Sequence, residues 1–172
     1  DSVERYTELG VDVVEGTAKI VSPWEVEITD ANGVRRMTTR SIVIAAGARP
    51  FVPPIPGLAE QGYLTSDNVW ELRVLPKRLV VLGGGPIGSE LTQAFARLGA
   101  KVTQVEMAPR IMIREEPEIS ELVTQRFRAE GIEVLLNHRA KQFIVENDEK
   151  ILIAEHEGQD VRIPFDAVLV AV

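Results

Sequence analysis

The chain has 172 residues, 45% apolar, 26% charged and 5% aromatic, which suits an α/β protein of one domain or a little more. A net charge of −7 at pH 7 argues against a nucleic-acid partner and an anionic membrane surface. The absence of cysteine excludes a disulfide framework, a thiolate metal site and any dithiol chemistry carried by these residues.

Residues 11 to 45 predict a run of short strands: Val11–Thr17, Trp24–Ile28, Arg36–Thr39 and Ile42–Ala45. Glu25-Val26-Glu27-Ile28 alternates polar and apolar, and Asn32-Gly33 signals a hairpin. Ser41 to Ala46 is almost continuously apolar, as a strand buried on both faces should be. Four prolines between Pro50 and Pro56 forbid helix and sheet interior, so residues 51–76 read as a linker. A short helix within it, capped by Ser66 or Asp67, ends before Pro76.

Leu79-Val80-Val81-Leu82 reads as a buried strand and Pro86 as the first position of a helix running to Leu98. That helix carries Ile87, Leu91, Ala94, Phe95 and Leu98 as one apolar stripe, and Gly99 ends it. Lys101–Glu106 is a second strand. A second helix over Pro117–Glu130 is expected to bury Ile119, Leu122, Val123 and Phe127. Ile132–Leu136 is a third parallel strand. A polar meander follows over 141–146, 150–155 and 159–163, and Asp166–Val172 is a final buried strand. His138 and His156 read as surface histidines, Trp24 and Trp70 as packing residues.

Two stretches look alike. Gly10-Val11-Asp12-Val13-Val14 corresponds to Gly131-Ile132-Glu133-Val134-Leu135; each precedes a meander that ends in an apolar strand. Residues 1–47 are therefore read as the second half of a domain resembling residues 77–172.

Between the strand at Leu82 and the helix at Pro86 lies Gly83-Gly84-Gly85-Pro86-Ile87-Gly88, a G-x-G-x-x-G pattern in the strand–turn–helix context it requires. Gly83 permits the turn, Gly85 admits a pyrophosphate to the backbone, and Gly88 lets helix and strand approach. The amides and dipole at the helix start favour an anion. A dinucleotide site also needs an acid roughly 20 residues on, to hold the ribose hydroxyls. Glu106 stands at the end of the second strand, and its charge would favour NAD over NADP. A solvated strand-end carboxylate is the alternative. Arg110 and Arg114 suit a 2′-phosphate, unless they pair with Glu115, Glu116 and Glu118. Glu90, in the helix's first turn, is either a favourable dipole partner or a site residue.

These residues resemble the class I FAD-dependent pyridine nucleotide–disulfide oxidoreductases. Ile42-Val43-Ile44-Ala45-Ala46-Gly47-Ala48-Arg49-Pro50, with Ile55-Pro56-Gly57, resembles the segment where the chain leaves the family's FAD domain. Leu75 to Glu90 resembles the opening of its NAD domain, and Phe165 to Val172 the strand near that domain's end. The resemblance implies a Rossmann-like parallel sheet with a β-meander at 77–172, preceded by a β-rich partial FAD domain at 1–50. It implies cofactor contacts at Gly83, Gly84, Gly85, Pro86, Ile87, Gly88, Glu90 and Glu106, and flavin contacts at Ala46 and Gly47. The family's threonine is replaced by Ala46 and its aromatic lid by Pro86.

The expected function is that of part of a flavoprotein oxidoreductase. NADH (less favoured, NADPH) reduces FAD, which reduces a disulfide or related acceptor. The remaining alternatives are a flavin reductase or NADH oxidase without the disulfide, and a non-catalytic nucleotide-binding module. The expected setting is a cytoplasmic homodimer, joined through a C-terminal domain beyond this excerpt, without nucleic-acid or membrane contact. No apolar run approaches bilayer-spanning length, and Asp1 to Arg5 has no signal-peptide start.

Overall fold

A computed structural model describes residues 2–172, which divide into two compact units at Gly47/Ala48.

The first unit holds helix α1 (Val3–Glu8) and an antiparallel meander of β1 (Thr17–Ser22), β2 (Glu25–Asp30) and β3 (Gly33–Thr38). Ser2 caps α1 through its hydroxyl, which accepts from the Arg5 amide. The hairpin expected at Asn32-Gly33 is present, with Asp30 opposite Gly33 and the Asp30 carboxylate accepting from the Asn32 amide.

Two expectations fail here. Val11–Glu15 is irregular, and the strand begins only at Thr17. Ile42–Ala45 is not a strand: Val43 is 87% and Ile44 75% exposed. Both stretches carry the residue types of buried parallel strands. Such strands need hydrogen-bonded neighbours, and among the described residues no strand pairs with either. The internal similarity therefore holds for the meanders and not for their flanking segments. Ile28 is the buried apolar side chain of this unit, and Trp24 is 61% exposed rather than packed.

The second unit is built on a four-stranded parallel sheet in the order β10-β4-β5-β6: Ala167–Val170, Arg78–Leu82, Lys101–Val105 and Glu133–Leu135. Neighbouring residues along β4 face opposite ways. Val80 and Leu82 pack on the meander of β7 (Arg139–Glu146), β8 (Glu149–His156) and β9 (Gln159–Phe165), against Phe143, Leu152 and Phe165. Leu79 and Val81 pack on the other side with Leu91 of α3 (Pro86–Leu98). Helix α4 (Pro117–Ala129) packs Phe127 with Ile111, Ile132 and Val134.

Residues 48–76 belong to this unit and pack into it. Leu58, on the single turn α2 (Leu58–Gln61), and Val69 are buried in its two main cores. Leu64 exchanges two backbone hydrogen bonds with β10, at 2.8 Å each. The expected short helix is only a 3₁₀ turn, Val69–Glu71, preceded by Asn68. Trp70 is 70% exposed, its indole N–H donating to the Ser66 carbonyl.

Both helices are rotated from the expected stripe. On α3 the inward residues are Gly88, Leu91, Thr92 and Phe95, while Ile87 and Leu98 are exposed. On α4 they are Ser120, Val123, Thr124 and Phe127, while Ile119 and Leu122 are exposed. Each set keeps helical spacing but centres on small residues, which allow close approach. Ser120 and Thr124 are buried with their hydroxyls satisfied by the carbonyls of Ile111 and Ser120.

Candidate nucleotide site

The loop between β4 and α3 is held peptide by peptide. The Gly83 amide donates to the Val105 carbonyl (2.9 Å), and the Gly84 amide to Glu106 Oε2 (2.5 Å). The Gly84 carbonyl accepts from the Met112 amide (2.6 Å). The next amide, that of Gly85, has no partner among the described residues.

Each glycine meets a different constraint. Gly83 has φ +106°, and a Cβ there would sit 2.3 Å from the Ala171 carbonyl oxygen. Gly84 is closed in by Ile111 and Glu106, at 2.8 and 2.9 Å from a Cβ position. A Cβ on Gly85 would meet nothing within 4 Å. Gly85 thus offers a bare amide beside open space at the start of a thirteen-residue helix.

That space is a cavity of about 570 Å³, lined by Gly83, Gly84, Gly85, Pro86 and Glu106 with apolar side chains around them. Its volume is in the range of small-molecule and cofactor sites. Glu106 is half-buried at its rim. One carboxylate oxygen accepts from Gly84 and the other from the Ala108 amide (2.7 Å), so the group is fixed by backbone before any ligand arrives. Two accepted bonds leave lone pairs for further donors.

Arg110 and Arg114 line the same cavity. Among the described residues neither joins an ion pair, so the expected pairing with Glu115, Glu116 and Glu118 is corrected. The loop geometry explains this: Arg110 Nη2 turns back to donate to the Ile113 carbonyl (2.9 Å), and Nη1 is buried without a partner.

Gly88 is buried against the Gly83 carbonyl and does not line the cavity. Ile87 and Glu90 are exposed on α3 and lie outside the cavity lining. Ala46 and Gly47 are exposed in the first unit.

Three features were missed in the sequence. Phe51, Met107 and Ile113 bring exposed apolar surface to the cavity. Gln104, the penultimate residue of β5, is wholly buried, and a buried side-chain amide needs its hydrogen bonds made. His138 is not a surface residue: it is 9% exposed, and its ring stacks on His156 with centroids 4.1 Å apart. Its backbone amide donates to the Glu106 carbonyl (2.9 Å), tying this pair to the turn that carries the acid. Among the described residues no cluster of three or more His, Asp or Glu side chains is placed to hold a metal.

Comparison with known proteins decides the family. The family described as pyridine nucleotide-disulphide oxidoreductase matches residues 1–172. The chain belongs to this family. It is 34% identical over 171 residues to the mercuric reductase of Staphylococcus aureus, covering 99% of this chain and 30% of that protein. It is 46% identical over 117 residues to the mercuric reductase of Shigella flexneri, covering 68% of this chain and 20% of that protein. Among solved structures it matches the HOCl-induced flavoprotein disulfide reductase RclA from Escherichia coli, with a TM-score of 0.69, 30% identity, and 93% of this chain against 35% of that one. The chain thus spans about a third or less of each of these oxidoreductases. Membership in the family implies use of FAD and a pyridine nucleotide. Among the described residues no helix is long and apolar enough to cross a membrane.

Proposed function

We propose that residues 77–172 are the nicotinamide-dinucleotide-binding domain of an FAD-dependent pyridine nucleotide–disulfide oxidoreductase, and residues 1–50 the C-terminal part of its FAD-binding domain. The observation that carries the reading is the unpartnered Gly85 amide, at a helix start, opening on a cavity that Glu106 also lines. The pyrophosphate would accept from Gly85 and lie along the positive end of α3. Glu106, held by two amides, would accept from the adenosine ribose hydroxyls.

When bound, the dinucleotide supplies a hydride to the flavin, whose electrons pass to a disulfide or related acceptor. The residues of this chain bind and orient it. In this reading Ile87 and Glu90 belong to the dinucleotide contacts, Glu90 toward the nicotinamide, and Ala46 and Gly47 to the flavin contacts. The exposed Val43 and Ile44 fit a strand that is completed by the rest of the FAD domain. The protein acts as a homodimer in this reading, and residues 1–172 alone do not turn over.

NADH is the preferred donor because a 2′-phosphate would be brought against the Glu106 carboxylate. Arg110, which lines the same cavity and joins no ion pair among the described residues, tempers that preference, so NADPH is bound too, more weakly. Titration of the full-length protein with each nucleotide tests the reading. Saturable binding of both, with NADH tighter, is expected. No saturable binding sinks the site, and a clear preference for NADPH sinks the role given to Glu106.

A further inference from the structure

Gln104 is fully buried, and burying a side-chain amide is unfavourable unless its hydrogen bonds are made. Its Nε2 donates to the Gly83 carbonyl oxygen (3.1 Å) and to Ser89 Oγ (3.3 Å). The amide orientation follows from chemistry, since a carbonyl oxygen only accepts. Its Oε1 finds no partner. Half of a buried amide is therefore left unsatisfied while the other half reaches the glycine loop.

The Gly83 carbonyl and the Gly84 amide are the two ends of one peptide unit. Gln104 donates to the oxygen, and Glu106 accepts from the nitrogen. The two residues are two apart in an extended stretch, the spacing that puts side chains on one side. Gln104 of β5 and Glu106, the residue just after that strand, thus hold a single Gly–Gly peptide from both ends. Glycine on both sides leaves that peptide little steric resistance to rotation. If it turned over, the Gly84 amide would leave Glu106 and a carbonyl dipole would face the carboxylate. Ser89 adds a link: it accepts from Gln104 and donates to the Gly84 carbonyl (3.4 Å), so the first turn of α3 is tied to the same network.

We infer that Gln104 is a positioning residue for the dinucleotide site: it fixes the Gly83–Gly84 peptide so that Glu106 is held and the Gly85 amide faces the cavity. The inference rests on the proposed nucleotide reading for its consequence, and on the hydrogen-bond network alone for its geometry. Gln104 touches no ligand and acts through the loop.

The test uses the full-length protein, with nucleotide affinity and the Gly84 amide as separate readouts. Gln104→Met keeps length and loses the donor. Its NADH dissociation constant should rise about tenfold, the loss of one hydrogen bond plus a stranded carbonyl. In glycine-selective ¹⁵N spectra of the unliganded protein, the Gly84 proton should be shifted downfield and slow to exchange in the wild type, and lose both properties in Gln104→Met. Gln104→Glu supplies a signature that packing alone would not. Ionised, it cannot donate to Gly83; protonated, it can. Its NADH affinity should therefore recover as pH falls, with a slope the wild type lacks. Unchanged affinity in both variants overturns the inference, as does a pH-independent loss in Gln104→Glu. A fast-exchanging Gly84 amide in the wild type overturns it without any variant. If the wild type fails to bind NADH, the functional reading falls, and the Gly84 amide still decides for or against Gln104.

Discussion

Gly83 and Gly88 touch across the loop: the Gly83 carbonyl oxygen would lie 2.4 Å from a Cβ on Gly88. Gly88 is helical, where alanine is ordinarily worth up to about 1 kcal/mol over glycine. Here the contact is with backbone, which has no side-chain rotamer to move aside, and overpacking costs about 1–3 kcal/mol. The clash wins, and Gly88→Ala should lower the thermal midpoint. Gly85→Ala is the contrasting case. Its φ of −71° suits alanine, and its Cβ meets nothing within 4 Å. Unfolding of Gly85→Ala should match the wild type while nucleotide affinity falls at least tenfold, because the added methyl occupies the approach to the amide. Equal melting curves for the two variants would contradict this.

Glu106 and Arg110 line one cavity with opposite charge, and neither neutralises the other through an ion pair. Glu106→Gln removes the repulsion toward a 2′-phosphate. It should move the NADH/NADPH affinity ratio toward NADPH by about tenfold, the scale of a charge-assisted hydrogen bond. Arg110→Met should move it the other way, with NADPH losing more than NADH. Measuring both dissociation constants for both variants checks the assignment. A parallel loss for the two nucleotides in Arg110→Met would place the arginine on the pyrophosphate or on loop structure instead of at the ribose.

How much of this was legible follows from which interactions are local. The glycine loop, both helices and the parallel strands of the second unit were readable because turn, cap and periodicity all act within a few residues. Glycine spacing also carried the reasons for Gly83, a tight turn, and Gly88, a close approach of helix and strand. Burial was not local. Ile87, Leu98 and Leu122 are apolar and exposed, while Ser120, Thr124 and Gln104 are polar and buried. The helix faces are set by how closely each approaches the sheet, which hydropathy does not encode. Val43 and Ile44 failed for the same reason, since a strand is a property of its neighbours as much as of its residues. The arginines failed because Arg110 takes the Ile113 carbonyl, three residues away, ahead of any acid in the loop.

Arg78, the first residue of β4, pairs with Asp166, the residue just before β10. Asp166 accepts from the Arg78 backbone amide at 2.8 Å and from its guanidinium at 2.8 and 3.2 Å. The guanidinium hydrogen bond holds the Asp166 carboxyl below its usual range. A carboxyl depressed in the folded state adds stability above its unfolded value, and that contribution is lost as pH falls through the folded value. Both side chains are more than a third exposed, so solvent screens the pair. Asp166→Asn should therefore lower the melting temperature by only a few degrees at neutral pH, and by less at pH 3. A penalty that grows on acidification would contradict the pairing.

Glu130 sits at the C-terminal cap of α4, where the helix dipole disfavours a carboxylate. It is nevertheless held at a pKa of about 2, chiefly by the Arg97 guanidinium of α3, with Arg126 and Gln93 adding donors. The donors outweigh the dipole because they bond the carboxylate directly. The sign of the pH effect follows. The folded value lies below the ordinary 4.5, so the stabilisation is fully present above about 4.5 and disappears as pH falls toward 2. Following the side-chain carboxyl by ¹³C NMR should give a midpoint near 2. Arg97→Met should raise it, while Arg126→Met, which removes a smaller contribution, should raise it less. The reverse order would mean that the bond within α4, and not the one between the two helices, holds the charge.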